Sequence, residues 1–281
     1  MTTTPAKKLL GFSDLQAYQA CPRAFAWKQE GWRNPIPSKA LLRGLLFHDI
    51  VSKYLYPPFE WHIDQHVHPD MQLKAKDVIA ESLFEAKKMA KAYLSSVDDF
   101  SLILPPDAQL VYKDTLGDER IGGHADLIVW HNGKRVLVEM KTGRSPAPDI
   151  LDMSGQSDFY ALLYEAQYRV PIDYIYLDCI SEGGVLTRHQ RPPNLNAGQY
   201  ILQELLELDS LTYSKVYELG KPIEAMTVID STSKLLAKPH YSWRCEHCDF
   251  LRASKAYDKG TDYELLLDTL MIKQEDRRLA I

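Results

Sequence analysis

The sequence lacks several features that would each assign it to a class of proteins. Its 281 residues include only four cysteines, too few and too unevenly spaced for the disulfide framework of a secreted domain. No apolar run reaches the roughly 18 residues of a membrane-spanning helix, and the N-terminal stretch MTTTPAKKLLGF has no signal-peptide core. The sequence therefore predicts a cytoplasmic protein with reduced thiols and no membrane association.

An excess of basic charge and a nucleotide-binding loop are also missing. The formal net charge is −5, so any contact with nucleic acid must depend on local basic patches rather than on attraction by the whole protein. Neither a Gly-rich phosphate loop nor a helicase motif is found, so ATP-driven unwinding is not expected of this chain. The composition, 45% hydrophobic and 25% charged, is typical of a globular protein.

Hydrophobic periodicity divides the chain into helical and β-rich stretches. Helices are predicted from Ser13, where the sequence resembles an N-cap, and over 41–56, 70–96, 150–168, 196–218 and 262–275. Strands are predicted in AQLVYKDTL, RIGGHADLIVW and KRVLVEMK and over 174–180 and 184–190. Asn132-Gly133, between the second and third runs, is a strong hairpin signal. This order predicts an α/β fold with a central mixed β-sheet flanked by helices.

The third β-rich run ends in two opposite charges. Glu139 and Lys141 share one face of the strand because side chains alternate along it, and the hairpin can bring Asp126 alongside Glu139. Two carboxylates and the Met140 carbonyl are oxygen ligands suited to Mg²⁺ or Mn²⁺. A lysine beside such an ion can orient or help deprotonate water, the nucleophile of phosphodiester hydrolysis. The alternative is an exposed strand end with a salt bridge.

Two helices carry further candidates. His48 follows Arg43-Gly44 on a predicted amphipathic helix, and a structural histidine is the alternative there. Gln156 and Tyr160 are four residues apart and therefore lie on one face of the helix after the hairpin. Such a pair can hold a phosphate or an active-site lysine, and a partly buried tyrosine beside an amide is the alternative.

Together these residues resemble the PD-(D/E)XK nuclease superfamily, in particular its RecB-like branch. That branch shows a helix histidine, an aspartate, a D/E-x-K strand and a Q-x-x-x-Y helix, in this order. The metal ligands that the resemblance implies are His48, Asp126, Glu139 and the carbonyl of Met140, with Mg or Mn as the ion. The catalytic residues that it implies are Asp126, Glu139, Lys141, Gln156 and Tyr160. Lys141 would position the attacking water, and Gln156 and Tyr160 would complete the site and contact DNA.

The resemblance implies a restriction-endonuclease-like core with an N-terminal helical region and a C-terminal Cys-containing segment. The chain is interpreted as a single nuclease domain over 1–281, with a mainly helical part at 1–105, a catalytic αβ core at 106–192 and a helical part with Cys-x-x-Cys at 193–281. The implied reaction is exonucleolytic hydrolysis of single-stranded DNA or duplex ends in recombination, repair or CRISPR-type spacer processing. A helicase, annealing or CRISPR-integration protein is the expected partner. The alternatives are a structure-specific endonuclease and a non-catalytic DNA-binding module that kept the fold.

The stretch SDLQAYQACPRAFAWK resembles the start of the iron–sulfur subgroup of this branch, which includes the Cas-four exonucleases and the AddB nuclease domain. That subgroup has one early cysteine before proline and three late ones, spaced C-x-x-C-x-x-x-x-x-C. The matching residues here are Cys21, Cys245 and Cys248, with Ser254 where the last cysteine is expected.

This departure leaves three alternatives for the cysteine site. They are an iron–sulfur cluster with fewer thiolates, a zinc ion with a nitrogen from His247 or His240, and no metal at all. Cys179 lies in an apolar strand, which favours a buried core thiol over the missing ligand.

Overall fold

The computed structural model describes residues 9–29, 32–33, 36–143, 155–213 and 272–273. The chain divides into two compact units, one formed by 1–35 with 204–281 and the other by 36–203. The interpretation as one domain with parts at 1–105, 106–192 and 193–281 stays a prediction.

The described helices and strands follow the predicted order closely. The helices are α1 (Phe12–Ala20), α2 (Pro22–Gln29), α3 (Lys39–Leu55), α4 (Pro69–Gln72), α5 (Lys76–Leu94), α6 (Gln156–Tyr168) and α7 (Leu195–Tyr213). The strands are β1 (Trp32–Arg33), β2 (Ser101–Leu102), β3 (Ala108–Lys113), β4 (Glu119–Ala125), β5 (Leu127–His131), β6 (Lys134–Thr142), β7 (Tyr174–Ile180), β8 (Leu186–Arg191) and β9 (Ile272–Lys273). None of these helices is both long enough and apolar enough to span a membrane.

The first unit joins segments from the two ends of the chain. Pro22 begins α2 directly after Cys21, a position where the missing N–H of proline costs nothing. Strand β1 pairs antiparallel with β9, which sets Trp32 opposite Lys273. The prediction of a final helix over 262–275 is therefore wrong at 272–273, and the rest of that range lies outside the described residues. Strand β9 could not be predicted from the sequence, because a strand of two residues is too short to show periodicity and its partner lies at the opposite end of the chain.

The second unit is built on a five-stranded sheet with the order β2-β5-β6-β7-β8. Strands β6 and β7 are parallel, whereas the β2–β5, β5–β6 and β7–β8 pairs are antiparallel. The fold is thus the predicted mixed sheet with flanking helices. The predicted hairpin at Asn132-Gly133 is confirmed: His131 pairs with Lys134, and both turn residues have the positive φ that a two-residue hairpin turn requires.

The two faces of β6 have different surroundings because its side chains alternate. Val136, Val138 and Met140 are fully buried in a core formed with α3 and α5. On the opposite face lie Glu139 and Lys141, on the side where α6 packs against β6 and the separate β3–β4 pair. The charged end of β6 therefore belongs to the layer between the sheet and α6.

Two predicted elements are divided in the structure. The run RIGGHADLIVW forms β4, which pairs with β3, and β5, which pairs with β6, so Asp126 is the joint between two sheets. Periodicity cannot show this joint because both halves are equally β-rich. The helix predicted over 70–96 begins as α4 and restarts as α5, because Leu73, Lys74 and Ala75 form a turn between them.

Candidate active site

The C-terminal end of β6 brings an acidic and a basic group together. The Lys141 ammonium donates a hydrogen bond of 2.5 Å to Oε1 of Glu139. The Glu139 side chain is 4% exposed and the Lys141 side chain is 40% exposed, so only the lysine reaches solvent. The second carboxylate oxygen of Glu139, Oε2, is buried and has no hydrogen-bond partner within the part of the chain that the structure describes. A buried carboxylate oxygen without a partner costs free energy, so a bound cation at this atom would relieve an unfavourable feature of the site.

Asp126 reaches the same strand end from the joint between β4 and β5. Its Oδ2 accepts a hydrogen bond of 2.7 Å from the backbone N–H of Met140. Its Oδ1 lies 3.2 Å from Nδ1 of His48 on α3. The structure therefore places His48, Asp126 and Glu139, which are far apart in the sequence, around one end of β6.

Helix α3 is firmly held where it presents His48. Phe47 is fully buried, and its ring packs edge to face against Tyr93 of α5. One turn earlier, the largely buried Arg43 donates hydrogen bonds to Glu85 at 3.0 Å and to Glu182 at 2.6 Å. These contacts fix the turn of α3 that leads to His48.

Helix α6 supplies the second partner of Lys141. Lys141 Nζ donates to Oε1 of Gln156 at 3.3 Å, and the Gln156 amide nitrogen donates to the Tyr160 hydroxyl at 3.3 Å. The helical spacing of four residues places these two side chains on one face, as the sequence indicated. A continuous chain of hydrogen bonds thus runs from Glu139 through Lys141 and Gln156 to Tyr160.

The electrostatics of the site follow from burial and from these pairings. Burial, reinforced by the Asp126 carboxylate, raises the pKa of Glu139 to about 7. Burial also disfavours charge on Asp126, but His48, the Met140 amide and Lys141 outweigh it and lower its pKa. Burial opposes protonation of Lys141, yet Glu139 and Asp126 keep the pKa of the ammonium above its usual value. Lys141 is therefore a cation at neutral pH.

His48 responds to the same negative charge. Burial lowers the pKa of the imidazole, but Asp126 and then Glu139 outweigh burial and raise it. The two carboxylates thus favour the protonated, positively charged forms of both His48 and Lys141.

A divalent cation would meet the same demand for positive charge. Within the described part of the chain, no three His, Cys, Asp or Glu side chains form a ready-made cluster for a metal ion. The donor set nevertheless fits such an ion: carboxylate oxygens suit Mg²⁺ or Mn²⁺, and no described residue hydrogen-bonds to Glu139 Oε2. His48, Asp126 and Glu139 are the side chains that could hold it.

Sequence reasoning missed Asp158, which fixes the start of α6. Its buried carboxylate accepts hydrogen bonds from Arg191 at 2.7 and 2.9 Å and from the backbone N–H of Asn194 at 2.7 Å. Asp158 lies between Gln156 and Tyr160 in the sequence. Its charge at the first helical turn suggests an ordinary N-terminal acid, and nothing in the local pattern indicates a partner 33 residues away.

The cysteine site is described only in part. Cys21 is half-buried between α1 and α2 and forms no disulfide with another described residue. Cys245, Cys248 and Ser254 lie outside the described residues, as do His240 and His247. Cys179 is buried in β7, in keeping with a core thiol.

Comparison with known proteins places the chain in a family. Residues 10–253 match the PD-(D/E)XK nuclease superfamily, whereas no curated protein matches significantly. A crystal structure from Eubacterium rectale, provisionally described as an exonuclease, matches with a TM-score of 0.51 and 13% identity over 90% of this chain and 93% of that one. The crystal structure of SSO0001 matches with a TM-score of 0.39 and 15% identity over 87% and 84%. At 13% identity the Eubacterium rectale structure shows likeness of fold alone. The family match covers most of the sequence, so the chain belongs to the PD-(D/E)XK nuclease superfamily.

Proposed function

We propose that the protein is a metal-dependent deoxyribonuclease that acts as an exonuclease on linear or single-stranded DNA. The observation that supports this most directly is the buried Oε2 of Glu139 beside Asp126, which has no hydrogen-bond partner among the residues described. A buried carboxylate, a partly buried one and a lysine at a strand end suit a cation that binds phosphate. Membership of the nuclease superfamily supports a role for such a cation in cleaving phosphodiester bonds.

The proposed ligands of the ion are His48, Asp126, Glu139 and the carbonyl of Met140, and the ion is Mg²⁺ or Mn²⁺. The N–H and C=O of a residue in an extended strand point to the same side, so the Met140 N–H bonded to Asp126 directs the carbonyl to that side as well. When bound, such an ion supplies Lewis-acid activation of a phosphate and of water.

The proposed role of Lys141 is to orient the attacking water or a phosphate oxygen. Its raised pKa keeps the ammonium protonated, so it donates hydrogen bonds and does not act as a base. Its partial exposure lets it reach a substrate, and Glu139 and Gln156 fix its direction from behind. Gln156 and Tyr160 are proposed to complete this arrangement and to contact DNA.

Single substitutions at the end of β6 test the proposal. Glu139→Ala and Lys141→Ala are expected to lower the rate of Mn²⁺- or Mg²⁺-dependent degradation of end-labelled linear DNA by about 10²–10⁴-fold, because each removes a group that acts on the reacting atoms. Lys134→Ala is the matched control, since Lys134 is an exposed lysine at the other end of the same strand. Full activity in either site variant would contradict the assignment, and a native protein that binds DNA without cleaving it would indicate a non-catalytic module.

A circular single-stranded substrate distinguishes an exonuclease from an endonuclease. The exonuclease description of the Eubacterium rectale protein favours activity that requires a DNA end. We expect the protein to degrade a linear single strand and to leave the circular form intact, as seen on a denaturing gel. Conversion of the circle to linear fragments would instead indicate a structure-specific endonuclease on the same scaffold. A pathway in recombination, repair or CRISPR-type spacer processing, with a helicase, annealing or CRISPR-integration partner, is part of the proposal.

We also propose a metal at the cysteine site, with an iron–sulfur cluster as the first candidate and zinc as the second. The candidate ligands are Cys21, Cys245, Cys248 and Ser254. The pairing of β1 with β9 supports this, because it connects the segment after Cys21 to the C-terminal segment of the chain. Metal and sulfide analysis of anaerobically purified protein, with its visible absorption spectrum, distinguishes the two. Cys21→Ser should lose the metal, and a native protein without iron or zinc would contradict the proposal.

A further inference from the structure

Gly123 on β4 lies unusually close to the ring of Tyr160. A Cβ atom at position 123 would stand 2.4 Å from Cε1 of Tyr160, 3.0 Å from Cδ1 and 3.4 Å from Cζ. Real Cβ contacts are essentially never shorter than 3.0 Å, so any side chain here would force a displacement. The backbone of Gly123 has no positive φ. Glycine is therefore needed here because it has no side chain, and not because of its conformational freedom.

The Tyr160 ring has little freedom to move away. Tyr160 is 6% exposed, its ring packs against Phe159 with centroids 5.6 Å apart, and a planar ring cannot bend aside as a flexible chain can. Its helix is held as well: Asp158 is paired with Arg191, and α7 crosses so closely that a Cβ at Gly198 would stand 2.5 Å from the Asp158 carbonyl oxygen. A side chain at position 123 would therefore change the rotamer of Tyr160.

A displaced ring would change the site through hydrogen bonds already described. The Tyr160 hydroxyl accepts from Gln156, and Gln156 accepts from Lys141. We infer that Gly123 is a positioning residue for the proposed reaction: its missing side chain admits the Tyr160 ring, and the ring holds Gln156 against the Lys141 ammonium. Asp126 follows three residues after Gly123, directly after the last residue of β4. This strand therefore helps to position both the Asp126 carboxylate and, through Tyr160 and Gln156, the Lys141 ammonium. The inference rests on the proposed function.

A double-mutant cycle of Gly123→Ala and Tyr160→Ala tests the inference. Gly123→Ala is expected to lower kcat on linear single-stranded DNA with Mn²⁺ by about 100-fold, the typical effect of a small misplacement of reacting groups, while KM changes little. Tyr160→Ala removes the ring that the added methyl group would meet. The double variant should therefore have the kcat and the unfolding midpoint of Tyr160→Ala alone, since contacting residues are not additive.

Gly183→Ala is the control for the glycine substitution, because an added Cβ there lies at an ordinary 3.6 Å from Ser181 Oγ, and it should leave kcat unchanged. If Gly123→Ala does not fold, a double variant that is as stable as Tyr160→Ala supports the contact between Gly123 and Tyr160. A double variant that fails to fold overturns the inference. Full activity of Gly123→Ala, or effects that multiply independently in the cycle, would also overturn the inference. A native protein that degrades no DNA would overturn the proposed function, and with it the catalytic part of the inference.

Discussion

At the scale of the residue, Glu139 shows how a functional side chain can lower the stability of the folded protein. The carboxylate is nearly fully buried, one of its oxygens has no hydrogen-bond partner among the described residues, and the other accepts from Lys141. Burial raises its pKa to about 7, above the value of about 4.3 for an unperturbed glutamate. A folded-state pKa above the unfolded one means that ionised Glu139 opposes folding as the pH rises through 7.

We therefore expect Glu139→Gln to stabilise the protein in the presence of a chelator. Glutamine keeps an acceptor for Lys141 and removes the buried charge, so the free energy of unfolding at pH 8 should rise by about 1–3 kcal/mol. The gain should narrow as the pH falls below 7, where the native Glu139 takes up a proton. Urea unfolding at pH 8 and at a pH below 7 measures this difference in the free energy of unfolding. Glu119→Gln, on the exposed part of β4, is the control. An unchanged or lower free energy of unfolding at pH 8 would contradict this account.

At the scale of the element, the position of α6 depends on one buried ion pair. Asp158 is 2% exposed and holds the start of the helix to β8 and to the segment before α7. Gln156 and Tyr160 flank it in the sequence, so their approach to Lys141 depends on this anchor. A buried pair of this kind contributes little net stability as a unit, but loss of one partner leaves an uncompensated charge.

Asp158→Ala is expected to lower the free energy of unfolding by about 3–5 kcal/mol, because Arg191 keeps its charge and loses its main acceptor. The double variant Asp158→Ala/Arg191→Met should recover part of this loss, since it removes the buried charge as well. Urea unfolding of the two variants measures the difference. Equal destabilisation of both would show that the ion pair is not what holds α6.

Much of the fold and site could be predicted because local patterns specify them. The Asn132-Gly133 turn, the alternation of Glu139 and Lys141 and the four-residue spacing of Gln156 and Tyr160 are all local signals. The assignment of β4 and β5 to different sheets, the Asp158–Arg191 pair and the contact of Gly123 with Tyr160 depend on partners distant in the sequence. Periodicity shows which face of an element is buried, but it does not show what the face contacts.

At the scale of the whole molecule, the two proposed metal sites belong to different units. His48, Asp126, Glu139 and Lys141 all lie within 36–203, whereas Cys21 lies in the unit formed by 1–35 and 204–281. A ligand that binds only the folded state stabilises the structure that forms its site. Since regions of a protein can open with different free energies, the effect of a divalent ion should be confined to one unit.

Hydrogen exchange with and without Mn²⁺ tests this separation. At 100 times its dissociation constant the ion contributes about 2.7 kcal/mol, so amides that exchange only when the site opens should slow by roughly 100-fold. We expect this protection in peptides from β4, β5, β6 and α6, and little change in peptides from α1 and α2. Glu139→Gln should weaken the protection, because it removes one charged ligand, and a chelator should reverse it in the native protein. Protection confined to α1 and α2 would mean that Mn²⁺ binds in the first unit and that the carboxylates at the end of β6 do not hold it.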